Sequence, residues 1–350
     1  MELTAGKLWG YRRLADAAGR FKMTAVDQRP PIKSLIARMR GLAGPDAEPS
    51  FRDVCDFKAA LARALAPSSS AMLLDPYFAY PAAVGHVRPS QGLLVTLEDS
   101  IFEDTPGGRR SRAIADWSVD KIRRLGADGV KLLAWHRPDA APEVTVHQRH
   151  FVESMGRACR DHDICFLLEL LVYPLPGEAG QTTDHVEHAA KRPQRVIDSL
   201  KDFADLKYGV DIYKLESPVA ADDLVAPAAA GGDQIQGWFD ALGDACPRPW
   251  VMLSAGAGQE AFRHILAYAY RAGASGYLAG RAIWWNAGQH FPDLAAMDRA
   301  LRDDSVPYMA ALNALTDEAA TPWHAHRCFA DGVALADAGP GFNSAYGKVA

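Results

Sequence analysis

The sequence predicts an α/β protein: a single (β/α)8 TIM barrel over residues 1–350, with a helix at about residues 1–20 in front of it and a helical or irregular extension from about 323 to 350 behind it. Three observations carry this. Eight short apolar runs alternate along the chain with helical spacings. The runs are almost continuously apolar, the pattern of parallel strands buried on both faces. None is followed by the Gly-x-Gly-x-x-Gly turn of an open dinucleotide-binding sheet, so closure of eight strands is the better fit. No internal repeat and no second domain stands out.

In order, Thr4 is expected to cap a first helix whose Leu8, Tyr11, Leu14 and Ala15 share a face, with Gly19 stopping it. Residues 21–26 read as the first strand, delivering Asp27-Gln28-Arg29 at its carboxyl end before Pro30-Pro31 halts it. Helices follow at 32–40 and 51–66, the latter with Val54, Phe57, Leu61 and Leu65 on one stripe. Strands two and three are 71–76 and 92–98. The polar loop 99–112, with Pro106-Gly107-Gly108 and three arginines, reads as a lid. A helix at 114–125 leads to strand four at 129–135, and a helix at 146–162 to strand five at 164–171, apolar except for Glu169. Strand six, 210–215, follows a helix at 193–203 and ends at Pro218. Strand seven, 250–254, follows a helix at 235–246 and runs into Ala255-Gly256-Ala257-Gly258. Strand eight, 274–281, follows a helix at 259–271, and helices are expected around 293–302 and 306–316.

Composition excludes several classes. Hydrophobic residues make up 49% and charged residues 23%, enough for a large core and against disorder. Net charge is −5 with no long basic run, which argues against nucleic acid as a partner. Five scattered cysteines without a Cys-x-x-Cys pair fit a reducing compartment. With no signal-like start and no apolar run of membrane length, a cytoplasmic protein with no membrane partner is expected. A homo-oligomer is allowed but not indicated.

Barrel active sites lie at the carboxyl ends of the strands. Those positions hold Asp27, Lys131, Glu169, Lys214, Ser254 with Gly256, and Gly280 with Arg281. A charge on a buried strand is costly without a partner, so their coincidence says more than any one of them. A lysine made neutral by burial or by a second ammonium attacks carbonyls to form a Schiff base. Glu169, raised by desolvation unless a lysine pairs with it, can move protons. The bland reading is a structural ion pair inside the barrel. Small residues at Ser254, Gly256 and Gly280, with the Arg281 fork, suit an anion at the rim after strands seven and eight. Asp75 and Glu98 also end strands, but are set aside as caps. Asp184, His185, Glu187 and His188, with His147 and His150, lack His-Glu-x-x-His spacing and are read as solvated, so no metal or other cofactor is expected.

Six motifs, one per strand, carry a resemblance across about residues 21–287: Ala25-Val26-Asp27-Gln28-Arg29, Gly129-Val130-Lys131-Leu132-Leu133, Leu168-Glu169, Asp211-Ile212-Tyr213-Lys214-Leu215-Glu216-Ser217-Pro218, Leu253-Ser254-Ala255-Gly256 and Ala279-Gly280-Arg281-Ala282. The chain resembles the class I tagatose-1,6-bisphosphate aldolases and the similar sulfofructose-1-phosphate aldolases. That resemblance implies a barrel and metal-free cleavage of a phosphorylated sugar, a ketose 1-phosphate, to dihydroxyacetone phosphate and an aldehyde such as glyceraldehyde 3-phosphate. It implies Lys214 as the Schiff-base lysine, Glu169 as the proton-transfer group, and Lys131 and Asp27 beside the imine. Ser254, Gly256, Gly280 and Arg281 match binders of the 1-phosphate, and Gln28 and Arg29 match residues near the substrate's far end.

Pro30-Pro31, Trp284-Trp285-Asn286 and the tail from about residue 323 depart from the family pattern. They are expected near the far end of the substrate or a neighbouring subunit. The alternatives are a sulfonate in place of phosphate at C6, giving sulfolactaldehyde, and a non-catalytic sugar-phosphate sensor that keeps the pocket.

Overall fold

In the computed structural model, which describes residues 1–44, 48–178 and 193–347, eight parallel strands close into a barrel. They are β1 (Phe21–Ala25), β2 (Ala71–Leu74), β3 (Gly92–Thr96), β4 (Gly129–Trp135), β5 (Cys165–Leu171), β6 (Ile212–Leu215), β7 (Trp250–Met252) and β8 (Gly276–Ala279). Each pairs with its sequence neighbours, and β8 returns to β1 with Gly276 opposite Phe21 and Ala279 opposite Thr24. The expected count, order and closure hold. Among the described residues no helix is long and apolar enough to cross a membrane.

Alternate residues of each strand face the barrel axis and the helical shell. Met23, Leu73, Leu94, Leu167, Ile212 and Leu278 belong to the interior cluster. Their neighbours Met72, Val95, Leu168, Tyr213 and Tyr277 pack outward against the helices. Continuing the alternation upward places Lys131, Glu169 and Lys214 on the inside. A one-residue slip in any of these strands would turn its charge into the apolar shell.

Several expectations need correction. Pro30-Pro31 does not merely halt β1; the two prolines open the helix Pro30–Met39, where a missing N–H costs nothing. The helix expected at 114–125 spans only Val119–Arg124, capped by Ser118. Ala113 and Ile114 are instead drawn out beside β3: Ala113 bridges Glu98, and the Ile114 N–H donates to the Leu97 carbonyl (3.0 Å). The loop 99–112 contains a hairpin, Glu103–Thr105 with Gly108–Arg110. Its Arg109 is buried, with the guanidinium 4.2 Å from the Phe102 ring centre, 4.7 Å from Trp135 and 4.9 Å from Tyr173. A helix not foreseen, Arg281–Gly288, starts directly after β8.

The tail does not lie near the mouth of the barrel. Trp323 stacks on Tyr11 (ring centres 4.7 Å apart) and Phe329 meets both rings edge-on, closing the amino-terminal floor below Phe21, Ala71 and Cys165. Ala334–Leu335 then pairs in parallel with Glu2–Leu3. The cause is apolar: without these rings the bottom of the interior cluster would face water. Of the tryptophan pair, Trp284 is core, edge-on to Phe57 (6.0 Å) and donating its indole N–H to the Ala25 carbonyl (3.1 Å).

Candidate active site

Five strands, β1 and β3 to β6, bring the central charges together. Lys131 Nζ lies 2.6 Å from Glu98 Oε1, 2.7 Å from Glu169 Oε2 and 3.1 Å from Asp27 Oδ2. Lys214 Nζ lies 3.0 Å from the same Glu169 Oε2. Glu169 and Lys214 are cross-strand partners, so the β5–β6 register alone sets that contact. All five side chains are buried. Thr96 donates its hydroxyl to Asp27 Oδ2 (3.1 Å), while Asp27 Oδ1 has no hydrogen-bond partner among the described residues.

Burial alone would push Asp27 up, but Lys131, Lys214 and Lys58 outweigh it and hold its carboxyl well below the usual range. Glu169 behaves likewise: burial raises it, Lys131 and Lys214 overcome that, and it lies below its ordinary value. Burial lowers Lys131, yet Asp27, Glu169 and Glu98 push its ammonium well above normal. Lys131 is thus a fixed cation ringed by carboxylates, not one of a mutually depressed lysine pair. For Glu98 burial wins over Lys131 and Arg29, and its carboxyl is raised.

The rim after β7 and β8 is built differently. Ala255 (φ 46°) and Gly256 (φ 73°) are both left-handed, and the turn closes with the Ala257 N–H on the Ser254 carbonyl (2.8 Å). A Cβ at Gly280 would stand 2.7 Å from the Ala25 carbonyl oxygen and 2.8 Å from Gln28 Nε2, so only glycine lets β8 press against β1 there. Arg281 follows at the start of its helix, with its Nη1 3.3 Å from where a Gly256 Cβ would be.

One cleft is lined by Asp27, Gln28, Arg29, Lys131, Glu169, Lys214, Ser254, Gly280 and Arg281. Gly256 is not among the residues lining the cleft; it is exposed, next to Arg281. Glu98, set aside in the sequence as a cap, is a lining residue: its Oε2 accepts the Leu133 N–H (3.0 Å), and its carbonyl accepts Arg29 Nη2 (2.8 Å). The signal was available, since Glu98 follows its strand as closely as Asp27 follows β1. Asp75 is a cap, accepting the N–H groups of Tyr77 (3.0 Å) and Phe78 (2.9 Å) while pairing with buried Lys58. Lys58 also donates to the Val26 carbonyl (2.7 Å), bracing the backbone beside Asp27.

Among the described residues no cluster of His, Cys, Asp and Glu is arranged to hold a metal ion. His147 hydrogen-bonds the Ser111 carbonyl (2.9 Å) and His150 is exposed. Asp184, His185, Glu187 and His188 lie outside the described residues.

A closed parallel barrel carrying a buried lysine–carboxylate centre at its mouth is the build of an aldolase. Residues 21–286 match the DeoC/LacD family aldolase pattern, and the chain belongs to that family. It is 33% identical to tagatose 1,6-diphosphate aldolase 2 of Enterococcus faecalis over 335 residues, covering 93% of this chain and 98% of that one. With tagatose 1,6-diphosphate aldolase 1 of Streptococcus mutans it shares 31% identity over 331 residues, covering 92% and 99%. Among solved structures it is similar to an archaeal fructose-1,6-bisphosphate aldolase whose catalytic lysine is covalently bound to a carbinolamine intermediate. That match has TM-score 0.54 at 17% identity, covers 88% of this chain and 98% of the other, and supports the fold. The resemblance carried by the six motifs is borne out at the level of the family.

Proposed function

We propose that this protein is a class I aldolase that cleaves a ketose 1-phosphate of the tagatose 1,6-bisphosphate kind into dihydroxyacetone phosphate and an aldehyde phosphate. The observation that carries the reading is the 3.0 Å contact between buried Lys214 and Glu169 at the barrel mouth. The names of the two curated relatives favour a phosphorylated aldehyde half over a sulfonated one.

In this reading Lys214 hands a proton to the adjacent Glu169 carboxylate and attacks the C2 carbonyl; Glu169 then returns that proton to the carbinolamine hydroxyl, which leaves as water to give the protonated imine and an ionised Glu169. Glu169, kept ionised by its two lysines, is in the form needed to take the C4 hydroxyl proton. The C3–C4 bond then breaks, the aldehyde departs, and its electron pair passes into the imine as an enamine. Protonation at C3 and hydrolysis by water release dihydroxyacetone phosphate and restore Lys214. Lys131 and Asp27 hold Glu169 and the imine region in place. Ser254, Gly256, Gly280 and Arg281 receive the 1-phosphate, and Gln28 and Arg29 face the far end.

Borohydride reduction in the presence of dihydroxyacetone phosphate, read by intact mass and peptide mapping, tests this. An adduct on Lys214 supports it. Ligand binding without an adduct or turnover supports a sensor that keeps the pocket.

A further inference from the structure

The cleft that holds Lys214 has one apolar side. In the parallel register Leu133 of β4, Glu169 of β5, Lys214 of β6 and Val251 of β7 stand in one row across the sheet. Two residues further along the strands, about 7 Å nearer the mouth, the inward positions hold Trp135, Leu171 and Leu253. Trp135 and Leu171 are cross-strand partners, and all three line the cleft. They form a small apolar cluster of their own with Phe102 and Tyr173. Leu253 runs directly into Ser254 at the rim, so this wall reaches from β4 to the place where an anion would sit.

Trp135 is held from behind by the hairpin. The Arg109 guanidinium is buried between the rings of Phe102, Trp135 and Tyr173, 4.2–4.9 Å from each ring centre. Phe102 and Tyr173 meet Trp135 edge-on, at 5.8 Å and 6.4 Å. The Arg109 N–H donates to the Tyr173 hydroxyl (2.9 Å). The Trp135 N–H donates to Ser111 Oγ (3.2 Å), and its carbonyl accepts Gln148 Nε2 (2.5 Å). Gln148 Oε1 in turn accepts the Ser111 N–H (2.8 Å), and the Ala141 N–H donates to the Gly107 carbonyl (3.0 Å). A Cβ on Gly108, at φ 132°, would stand 2.4 Å from the Tyr173 hydroxyl oxygen. The hairpin is therefore docked along its length on the ends of β4 and β5. Filling the box needs no charge, since an apolar side chain of similar length would pack there. A guanidinium is drawn to all three ring faces at once, so it orients the rings as well as filling the space between them.

We propose that Arg109 is a positioning residue: it fixes Trp135, with Leu171 and Leu253, as a dry wall over the enamine on Lys214, and that wall keeps the enamine from expelling its phosphate. This rests on the aldolase reading above and adds a residue to it. The enamine of dihydroxyacetone phosphate has two ways to spend its electron pair. In the productive one, C3 takes a proton. In the competing one, the C3 hydroxyl gives up its proton and becomes a carbonyl, the C2–C3 double-bond pair moves to C1–C2, and the C1–O bond breaks with its pair leaving on phosphate. Protonation at C1 and hydrolysis of the imine then yield 2-oxopropanal and return Lys214. One dihydroxyacetone phosphate gives one 2-oxopropanal and one phosphate, and no oxidant is required. The departing phosphate gains charge and needs water to receive it, which an ordered apolar wall withholds.

The test uses the full chain with dihydroxyacetone phosphate alone in deuterated water. Phosphate release is measured against deuterium entering C3, so both fates of one enamine are counted. The ratio of elimination to exchange is expected to rise about tenfold or more in Arg109→Met and to stay within about threefold of the parent in Arg109→Lys, which keeps the cation. Trp135→Leu, which keeps an apolar side chain and removes the ring, should raise the same ratio. A merely structural role would lower both rates with the amount of folded enzyme and leave the ratio where it was. An unchanged ratio in Arg109→Met, or in Trp135→Leu should Arg109→Met not fold, overturns the proposal. A rise in Arg109→Lys as large as in Arg109→Met overturns it too, because shape alone would then govern the box. Borohydride trapping on Lys214 of the parent protein separates the two readings: an adduct with unchanged ratios sinks only the wall, and no adduct sinks the Schiff-base reading beneath it.

Discussion

Glu169 and Lys214 are in-register neighbours on adjacent strands, and one carboxylate oxygen of Glu169 is shared between Lys214 at 3.0 Å and Lys131 at 2.7 Å. Removing either lysine leaves Glu169 paired with the other.

That sharing makes Lys214→Ala a clean variant. It should fold, with a stability loss of about 1–3 kcal/mol, because no buried carboxylate is stranded. Turnover and the borohydride adduct should both vanish. Circular dichroism, denaturant titration and mass spectrometry check this together, and retained turnover would remove Lys214 from its assigned role.

Glu169→Gln should separate imine formation from bond cleavage. The amide cannot take the C4 hydroxyl proton, so kcat is expected to fall about 10²–10⁴-fold. The dihydroxyacetone phosphate adduct on Lys214 should still form. A variant with near-normal kcat would assign the proton to another group.

Lys131 should matter most to stability, in a pH-dependent way. Its raised pKa means its contribution is complete below the ordinary lysine value and is lost as pH rises through the folded one. Asp27 and Glu169, held low, contribute fully above the ordinary carboxylate value and lose this as pH falls through their folded values. Both contributions are in force between about pH 5 and pH 9. Lys131→Met takes the shared ammonium from buried Asp27 and Glu98, while Glu169 keeps Lys214, and should cost about 3–5 kcal/mol at neutral pH. The deficit should shrink toward about pH 5, as the stranded carboxylates take up protons. Urea titrations across that range would expose a flat or opposite trend.

Glu98→Gln keeps an acceptor for the Leu133 N–H but removes the carboxylate nearest to Lys131. Lys131 loses its nearest carboxylate while Arg29 keeps the Glu98 carbonyl, and kcat should drop about 10–100-fold while the Lys214 adduct persists. Unchanged kinetics would return Glu98 to the capping role first assigned to it.

Trp323→Ala probes the opposite end of the barrel. Removing the ring stacked on Tyr11 should destabilise by about 3–5 kcal/mol. Because that floor is remote from Lys214, kcat measured on the folded enzyme should not change. A fall in kcat without loss of stability would contradict the placement of the tail.

The strands and the central charges were legible because period-two alternation in apolar runs fixes which side chains point inward. Lys131, Glu169 and Lys214 could be placed from it without coordinates. Glu98 was not, because a carboxylate that follows its strand by two residues reads equally well as a cap. Arg109 in its aromatic box was missed for a similar reason: Pro-Gly-Gly and three arginines look solvated, and the rings that receive Arg109 come from three separate segments. The tail was misplaced because nothing local in Trp323 or Phe329 says which end of the barrel they cover. The Arg281–Gly288 helix was hidden because glycine at 280 reads as the end of a strand and gives no sign of the turn it opens.

The floor also orders events during synthesis. Leu3 pairs with Leu335, and the Met1 amino group donates to the Gly332 carbonyl (2.8 Å). The segment Glu2–Leu3 must wait until residues 332–335, about 331 positions later in the chain, have been made before its partners exist. Until then Tyr11 and the lower interior cluster lack their cover, so a chain stalled before Trp323 holds a closed barrel mouth over an open, apolar base. Such a chain is the form in which chaperones and proteases would find this protein most exposed.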